Sequence, residues 1–166
     1  MTSYTILKSP VGELLLSANE TELTGVHFGG EDHVPTTRET WKLDDRHPVL
    51  RQAVKELNEY FAAKRQSFSF APSLTGTEFQ KRVWAEIARI PFGKTISYSE
   101  LAKRAGNPQA IRAAGSATGS NPLGIVIPCH RVLAKGGGIG GYAGGLERKK
   151  KLLELEGILD RELFRI

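Results

Sequence analysis

The amino-acid sequence predicts an α/β (α+β) chain in two parts: a small N-terminal antiparallel sheet with a helix over residues 1–75, and a mostly helical domain containing a helix-turn-helix over 76–166. Three observations predict it. Short apolar runs near the N-terminus are separated by turn residues, apolar residues recur at helical spacing from Pro48 onward, and the charge balance changes sign where Pro72 and Gly76 flank a polar stretch. Residues 1–75 carry 8 Lys or Arg against 10 acidic residues and 76–166 carry 15 against 8, so the parts hold −2 and +7. A basic half suggests a polyanionic partner; a solvated charged face is the alternative for a run such as Arg148, Lys149, Lys150 and Lys151.

Tyr4 to Leu7, Glu13 to Ser17 and Leu23 to Phe28 read as strands of an antiparallel meander, with Ser9-Pro10-Val11-Gly12 and Asn19-Glu20 as its turns. Leu50, Val54, Leu57 and Phe61 mark one face of a helix, and Phe68 to Phe70 is expected to return as an edge strand. In the second part Phe79, Val83, Trp84 and Ile87 predict a helix from about Glu78 to Arg89, ended by Pro91-Phe92-Gly93. Ser97-Tyr98-Ser99-Glu100 fits a capping box, in which Ser97 accepts from the Glu100 backbone and the Glu100 side chain reaches back. A short helix should then run to Ala105 and stop at Gly106. Asn107 as cap and Pro108 in the first turn start the next helix, through about Gly119, which completes the helix-turn-helix spacing. Asn121 to Ile127 reads as an apolar strand that Pro128 ends, and Leu146 to Glu156 as a final helix closed by Gly157.

No apolar run approaches the roughly 20 residues of a membrane helix, and MTSYTILKSP lacks the basic and apolar regions of a signal peptide, so a cytoplasmic protein is expected. A single cysteine permits no internal disulfide and no cysteine-rich zinc cage. Cys129 is therefore either a buried small hydrophobe or a working thiol.

In Pro128-Cys129-His130-Arg131 an imidazole adjoins the thiol and could take its proton, releasing the nucleophilic thiolate; a cysteine after an apolar run is otherwise structural. Glu156 falls in a last helical turn, where the dipole is unfavourable for a carboxylate. Either it has a compensating partner, as an acid orienting His130 would, or it frays into water. Ala110, Ala113, Ala114, Gly115, Ala117 and Gly119 leave the second helix of the pair nearly bare around Arg112. That suits tight packing inside the protein, or close approach to a DNA groove where Arg112 fills the gap left by an extruded base. Residues 136–145 hold seven glycines in ten. Their Gly-x-Gly-x-x-Gly match lacks a βαβ setting, which leaves a loop closing over a planar ligand with Tyr142 as a wall, or a flexible hairpin.

Pro128-Cys129-His130-Arg131-Val132 is similar to the signature of the O6-alkylguanine-DNA alkyltransferases. Ser97-Tyr98, Ala105-Gly106-Asn107-Pro108, Arg112-Ala113, Gly119-Ser120-Asn121-Pro122, the 140–145 segment and Leu152-Leu153-Glu154-Leu155-Glu156-Gly157 resemble further segments of that family, in family order, across roughly 77–157. The N-terminal part resembles it only in its strand-then-helix plan. The resemblance implies that Cys129 accepts an alkyl group irreversibly, one lesion per chain. It implies that His130 removes the thiol proton through a bridging water, that Glu156 orients His130 and that Asn121 braces the cysteine turn. Tyr98 and the Ala143 amide would stabilise the departing purine, Tyr142 would wall its pocket, and backbone groups of Cys129 and Val132 would read its amino edge. Arg112 would replace the flipped base while the helix carrying Ala113 and Gly115 enters the minor groove, with Ser120 and Arg131 also at the DNA. The implied partner is double-stranded DNA containing O6-alkylguanine, with O4-alkylthymine as a further substrate. It is bound by a monomer, with or without cooperativity along the duplex, and neither cofactor nor metal is implied.

Three rivals stand beside this reading. An alkyltransferase-like protein that only flips the lesion has tryptophan in place of Cys129. A helix-turn-helix regulator would carry the Asn, Gln and Lys that read base edges, which this helix lacks. A Cys-His hydrolase would regenerate its thiol and turn over.

Overall fold

A computed structural model describes residues 2–29, 40–70, 74–134, 142 and 145–158. The chain divides into two compact units, Met1–Leu74 with Pro122–Val126, and Thr75–Asn121 with Ile127–Ile166.

In the first unit, strands β1 (Thr2–Ser9), β2 (Gly12–Ala18) and β3 (Leu23–Phe28) pair antiparallel through the expected turns, with Ile6 opposite Leu15 and Leu16 opposite Val26. The sheet is mixed rather than purely antiparallel, because β4 (Trp41–Leu43) adds to β1 in parallel and gives the order β3-β2-β1-β4. Three residues, one of them an exposed Leu43, leave too short a pattern to read as a strand. Helix α1 (Pro48–Phe61) starts on His47, whose Nδ1 accepts from the Val49 N–H at 3.2 Å. Its buried stripe is Leu50, Ala53, Glu56, Leu57 and Tyr60, so Val54 and Phe61 flank the core instead of forming it. The expected strand at Phe68 to Phe70 is absent. The Ser69 N–H that would enter a ladder donates instead to the buried Glu56 carboxylate at 2.7 Å, which Gln52 and Arg65 also hold.

Pro122–Val126 is likewise not a strand. Leu123 makes a single bridge to Val26, and the Val126 N–H turns back to the Gly124 carbonyl at 2.7 Å with Ile125 at φ +69°. That γ-turn, costly for a β-branched residue, breaks the extended run.

The second unit opens with α2 (Glu78–Ala88), and its N-terminus holds a full capping box between Thr77 and Gln80 that the sequence reading did not single out. Val83, Trp84 and Ile87 are its buried face. Ser97 caps α3 (Tyr98–Arg104) by accepting from the Glu100 N–H at 3.0 Å, but the Glu100 carboxylate pairs with Arg104 one turn on, so the reciprocal half of that box is not made. Helix α4 (Ile111–Gly119) begins three residues later than expected. Asn107 accepts from the Gln109 N–H and from Ala110, which closes a turn where the helix was expected to start. Trp84 Nε1 donates to the Ala117 carbonyl at 2.8 Å, joining α2 to the Ala114, Ala117 and Thr118 face of α4. Ile96–Ser97 (β5) and Val132–Leu133 (β6) form a two-residue parallel pair, and α5 (Leu146–Leu155) ends on Glu156 with Gly157 at φ +84°. No helix among the described residues is long and apolar enough to cross a membrane.

Candidate active site

Pro128 sits at φ −80° and ψ 65°, and the Cys129 N–H reaches the Ile127 carbonyl at 2.7 Å, an inverse γ-turn whose φ the proline ring presets. One turn of 3-10 helix, Cys129–Arg131, follows and leads straight into β6. Because Ile96 pairs with Val132 and Ser97 with Leu133, the cysteine turn is tied to the start of α3 and so to Tyr98. Asn121, just beyond α4, donates from Nδ2 to the Ile127 carbonyl at 2.8 Å, and its side chain and the buried Tyr142 hydroxyl both act on the Cys129 thiol. The reactive-group candidate is thus braced on both sides of its turn.

His130 is fully buried and its Nε2 lies 2.6 Å from Glu156 Oε2. An ionised carboxylate only accepts, so Nε2 carries the proton of the neutral ring and Nδ1 carries the lone pair. Nδ1 is buried with no hydrogen-bond partner among the described residues. Glu156 also accepts from Arg131 Nε at 2.8 Å and NH2 at 3.0 Å and from the Gly93 N–H at 3.1 Å. These donors resolve the helix-end conflict that the sequence raised for this carboxylate. Lys149, read from sequence as part of a charged run, is instead fully buried on α5. Its Nζ donates to the Val132 carbonyl at 2.7 Å and lies 6.0 Å from the Tyr98 ring centroid. Chain position alone hid it: the apolar Leu146, Leu152 and Leu153 on α5 place position 149 on the same inward side.

Burial pushes the Cys129 thiol up, against the opposing pull of the Asn121 and Tyr142 side chains and the Lys149 charge. Burial also pushes the His130 imidazole down; Glu156 opposes that, and Arg131 and Lys149 add to it. The resting pair is therefore neutral thiol beside neutral imidazole. Tyr98 is raised, by burial first and the neighbouring Cys129 charge second. Lys149 is lowered to about 8 by burial.

The structure thus groups Asn121, Tyr98 and Tyr142 about Cys129 and pairs the adjoining His130 with Glu156. Val132 is buried, with its N–H given to the Cys129 carbonyl. Ala143 lies outside the described residues, as does most of the glycine-rich segment. Arg112, Ala113 and Ser120 are exposed on α4 and its cap, and Gly115 is half-buried with the Tyr98 ring 4.0 Å from where its Cβ would be. Arg131 requires correction. Only 5% exposed, it turns its guanidinium inward to Glu156 and to the Ile90 carbonyl at 2.6 Å, so it offers nothing to a DNA surface. The family resemblance put it at the DNA, whereas the 3-10 turn sends successive side chains in different directions and turns this one inward.

Two family models match the chain: "6-O-methylguanine DNA methyltransferase, ribonuclease-like domain" over residues 2–73 and "6-O-methylguanine DNA methyltransferase, DNA binding domain" over 78–158. A methylated-DNA--protein-cysteine methyltransferase of Methanosarcina acetivorans is 42% identical over 154 residues, 93% of this chain and 97% of that protein. A crystal structure of the Mycobacterium tuberculosis O6-methylguanine methyltransferase superposes with a TM-score of 0.85 at 40% identity, covering 98% of each chain. One of Mycobacterium tuberculosis OGT in complex with DNA gives 0.83 at 42% identity, over 93% of this chain and 92% of that one. The chain belongs to the 6-O-methylguanine-DNA methyltransferase family.

Proposed function

We propose that this chain repairs O6-alkylguanine in double-stranded DNA by moving the alkyl group onto Sγ of its own Cys129. Its activity is that of a methylated-DNA--[protein]-cysteine S-methyltransferase, as in the relatives it matches over nearly their whole length. The buried pair of His130 and Glu156, with His130 directly following the buried Cys129, carries the reading, because together they offer a nucleophile, a base with a free lone pair and an orienting acid.

The thiol proton passes to His130 Nδ1 through a bridging water as the thiolate attacks the alkyl carbon in line. The S–C bond forms, the O6–C bond breaks, and its electron pair leaves on the guanine. Tyr98 and the Ala143 amide stabilise the departing purine. A thioether has no leaving path at this site, so each chain acts once. The lesion reaches Cys129 by base flipping, with α4 in the minor groove and Arg112 in the vacated stack. An α4 face built of Arg112, Ala113, Ser116 and Gly119 supports that, since small exposed residues allow close approach. O4-alkylthymine is a second substrate, and the chain works as a cytoplasmic monomer.

The test is incubation with an O6-methylguanine duplex followed by peptide mass mapping. One methyl on the Cys129 peptide, and no more than one per chain, is expected. An unmodified cysteine with repeated turnover would overturn the reading.

A further inference from the structure

We infer that Arg131 is the positioning residue of this site: its guanidinium, forked onto both oxygens of Glu156, holds that carboxylate charged and balanced, which keeps the His130 ring neutral with Nδ1 open to receive the Cys129 proton. The inference rests on the alkyl-transfer reading above and assigns a role to a side chain that does not touch substrate.

The geometry is specific. Arg131 Nε meets Oε1 at 2.8 Å and NH2 meets Oε2 at 3.0 Å, the paired fork that only arginine presents. NH1 is spent on the Ile90 carbonyl at 2.6 Å, and the Phe92 ring centroid lies 5.8 Å from the guanidinium carbon. The Gly93 N–H, in the same turn at φ +79°, donates to the same carboxylate. One guanidinium therefore joins the turn after α2, the end of α5 and the histidine.

The charges fix the consequence. His130 is faced by Glu156 and Lys149 from α5 and by Arg131 from its own turn, while Lys149 and Tyr98 of α3 face Cys129. Glu156 alone beside a buried imidazole would draw a second proton onto the ring and block Nδ1. Burial is the largest cause of the neutral ring, and Arg131 paired to the carboxylate adds to it by offsetting part of the Glu156 pull, while Glu156 still accepts the Nε2 proton that sets the tautomer.

The test is the single-turnover transfer rate against pH, on an O6-methylguanine duplex, for wild type, Arg131→Met, Arg131→Lys and Arg131→Met/Glu156→Gln. It is run together with 15N imidazole shifts of His130 in the DNA-free proteins. In Arg131→Met the uncompensated carboxylate should hold the ring protonated, so the acid limb moves up by about one pH unit or more. The rate at a pH on that limb then falls about tenfold, with recovery at higher pH. The double variant removes the carboxylate charge as well, and its acid limb should return toward that of wild type. Arg131→Lys keeps a cation without the fork and should fall between. In the imidazole spectrum the same order should appear without any substrate. A uniform rate loss in Arg131→Met, with the acid limb and the His130 titration both unmoved, would make Arg131 a packing residue and overturn the inference. Failure of wild type to methylate Cys129 would instead overturn the alkyl-transfer reading, leaving the imidazole titration to decide on Arg131.

Discussion

Lys149→Met keeps the length of the side chain and removes its charge, which makes it a direct probe of a cation buried beside the thiol. Lys149 is fully buried, and burial lowers its ammonium from 10.5 to about 8. The folded protein thus holds that proton less tightly than the unfolded chain by roughly 3 kcal/mol. At pH 7 both states are protonated and the whole penalty stands. Between pH 8 and 10.5 the folded lysine is neutral while the unfolded chain still binds the proton, so rising pH stabilises wild type by up to roughly 3 kcal/mol and does nothing comparable for the variant. Against this, methionine leaves the Val132 carbonyl without its 2.7 Å donor, a loss of about 1–3 kcal/mol. The variant should therefore be no less stable than wild type at pH 7, and the difference should swing toward wild type across pH 8 to 10.5. Urea unfolding at stepped pH measures it, with the pair repeated in a Cys129→Ser background to remove the titration of the thiol that is coupled to Lys149. Transfer should slow, because the thiolate loses a neighbouring cation. A variant much less stable at pH 7, with a difference independent of pH, would refute a charged Lys149.

Cys129→Ser should abolish transfer while retaining duplex binding, checked by methyl counting and by a binding titration; joint loss would make the cysteine structural. Asn121→Ala removes a bond to the Ile127 carbonyl and one to the thiol, so it should cost about 1–2 kcal/mol in urea unfolding and raise the thiol pKa, read from alkylation rate against pH. Arg112→Ala should slow repair of duplex far more than attack on free O6-alkylguanine, by about tenfold for each 1.4 kcal/mol of unstacking that the guanidinium offsets. Equal slowing of both substrates would remove Arg112 from base extrusion.

Local chemistry explains which parts of this protein were readable in advance. The β1–β3 meander, α1, α2 and α5 carry their period and punctuation within a dozen residues, so apolar spacing and turn residues sufficed. The errors are tertiary. Phe68 to Phe70 has a strand's composition, but a buried carboxylate 13 residues earlier claims its backbone donor. Pro122–Val126 is apolar like a strand, yet a γ-turn at Ile125 and a single bridge to Val26 make it a connector. At the site, Cys129, His130 and Glu156 were legible because residue type and position near a turn or helix end each posed a question. Arg131 and Lys149 posed none, since a cation in a basic half reads as surface until its burial is known.

Burying those two cations has a functional logic under the proposed reaction. A thiolate standing ready in the free protein would react with any electrophile or oxidant that reached it, and a chain that acts once has no means of recovery. Here burial raises Cys129, and burial together with Arg131 and Lys149 lowers His130, so the ion pair is unfavourable before substrate arrives. The same groups become favourable only when charge moves. As Sγ gains negative charge, the Lys149 charge and the Asn121 and Tyr142 side chains already favour it, and Glu156 is already 2.6 Å from the ring that turns cationic. Donors fixed in place before the reaction stabilise developing charge without reorganising, so the site can keep its thiol quiet at rest and still lower the barrier to transfer.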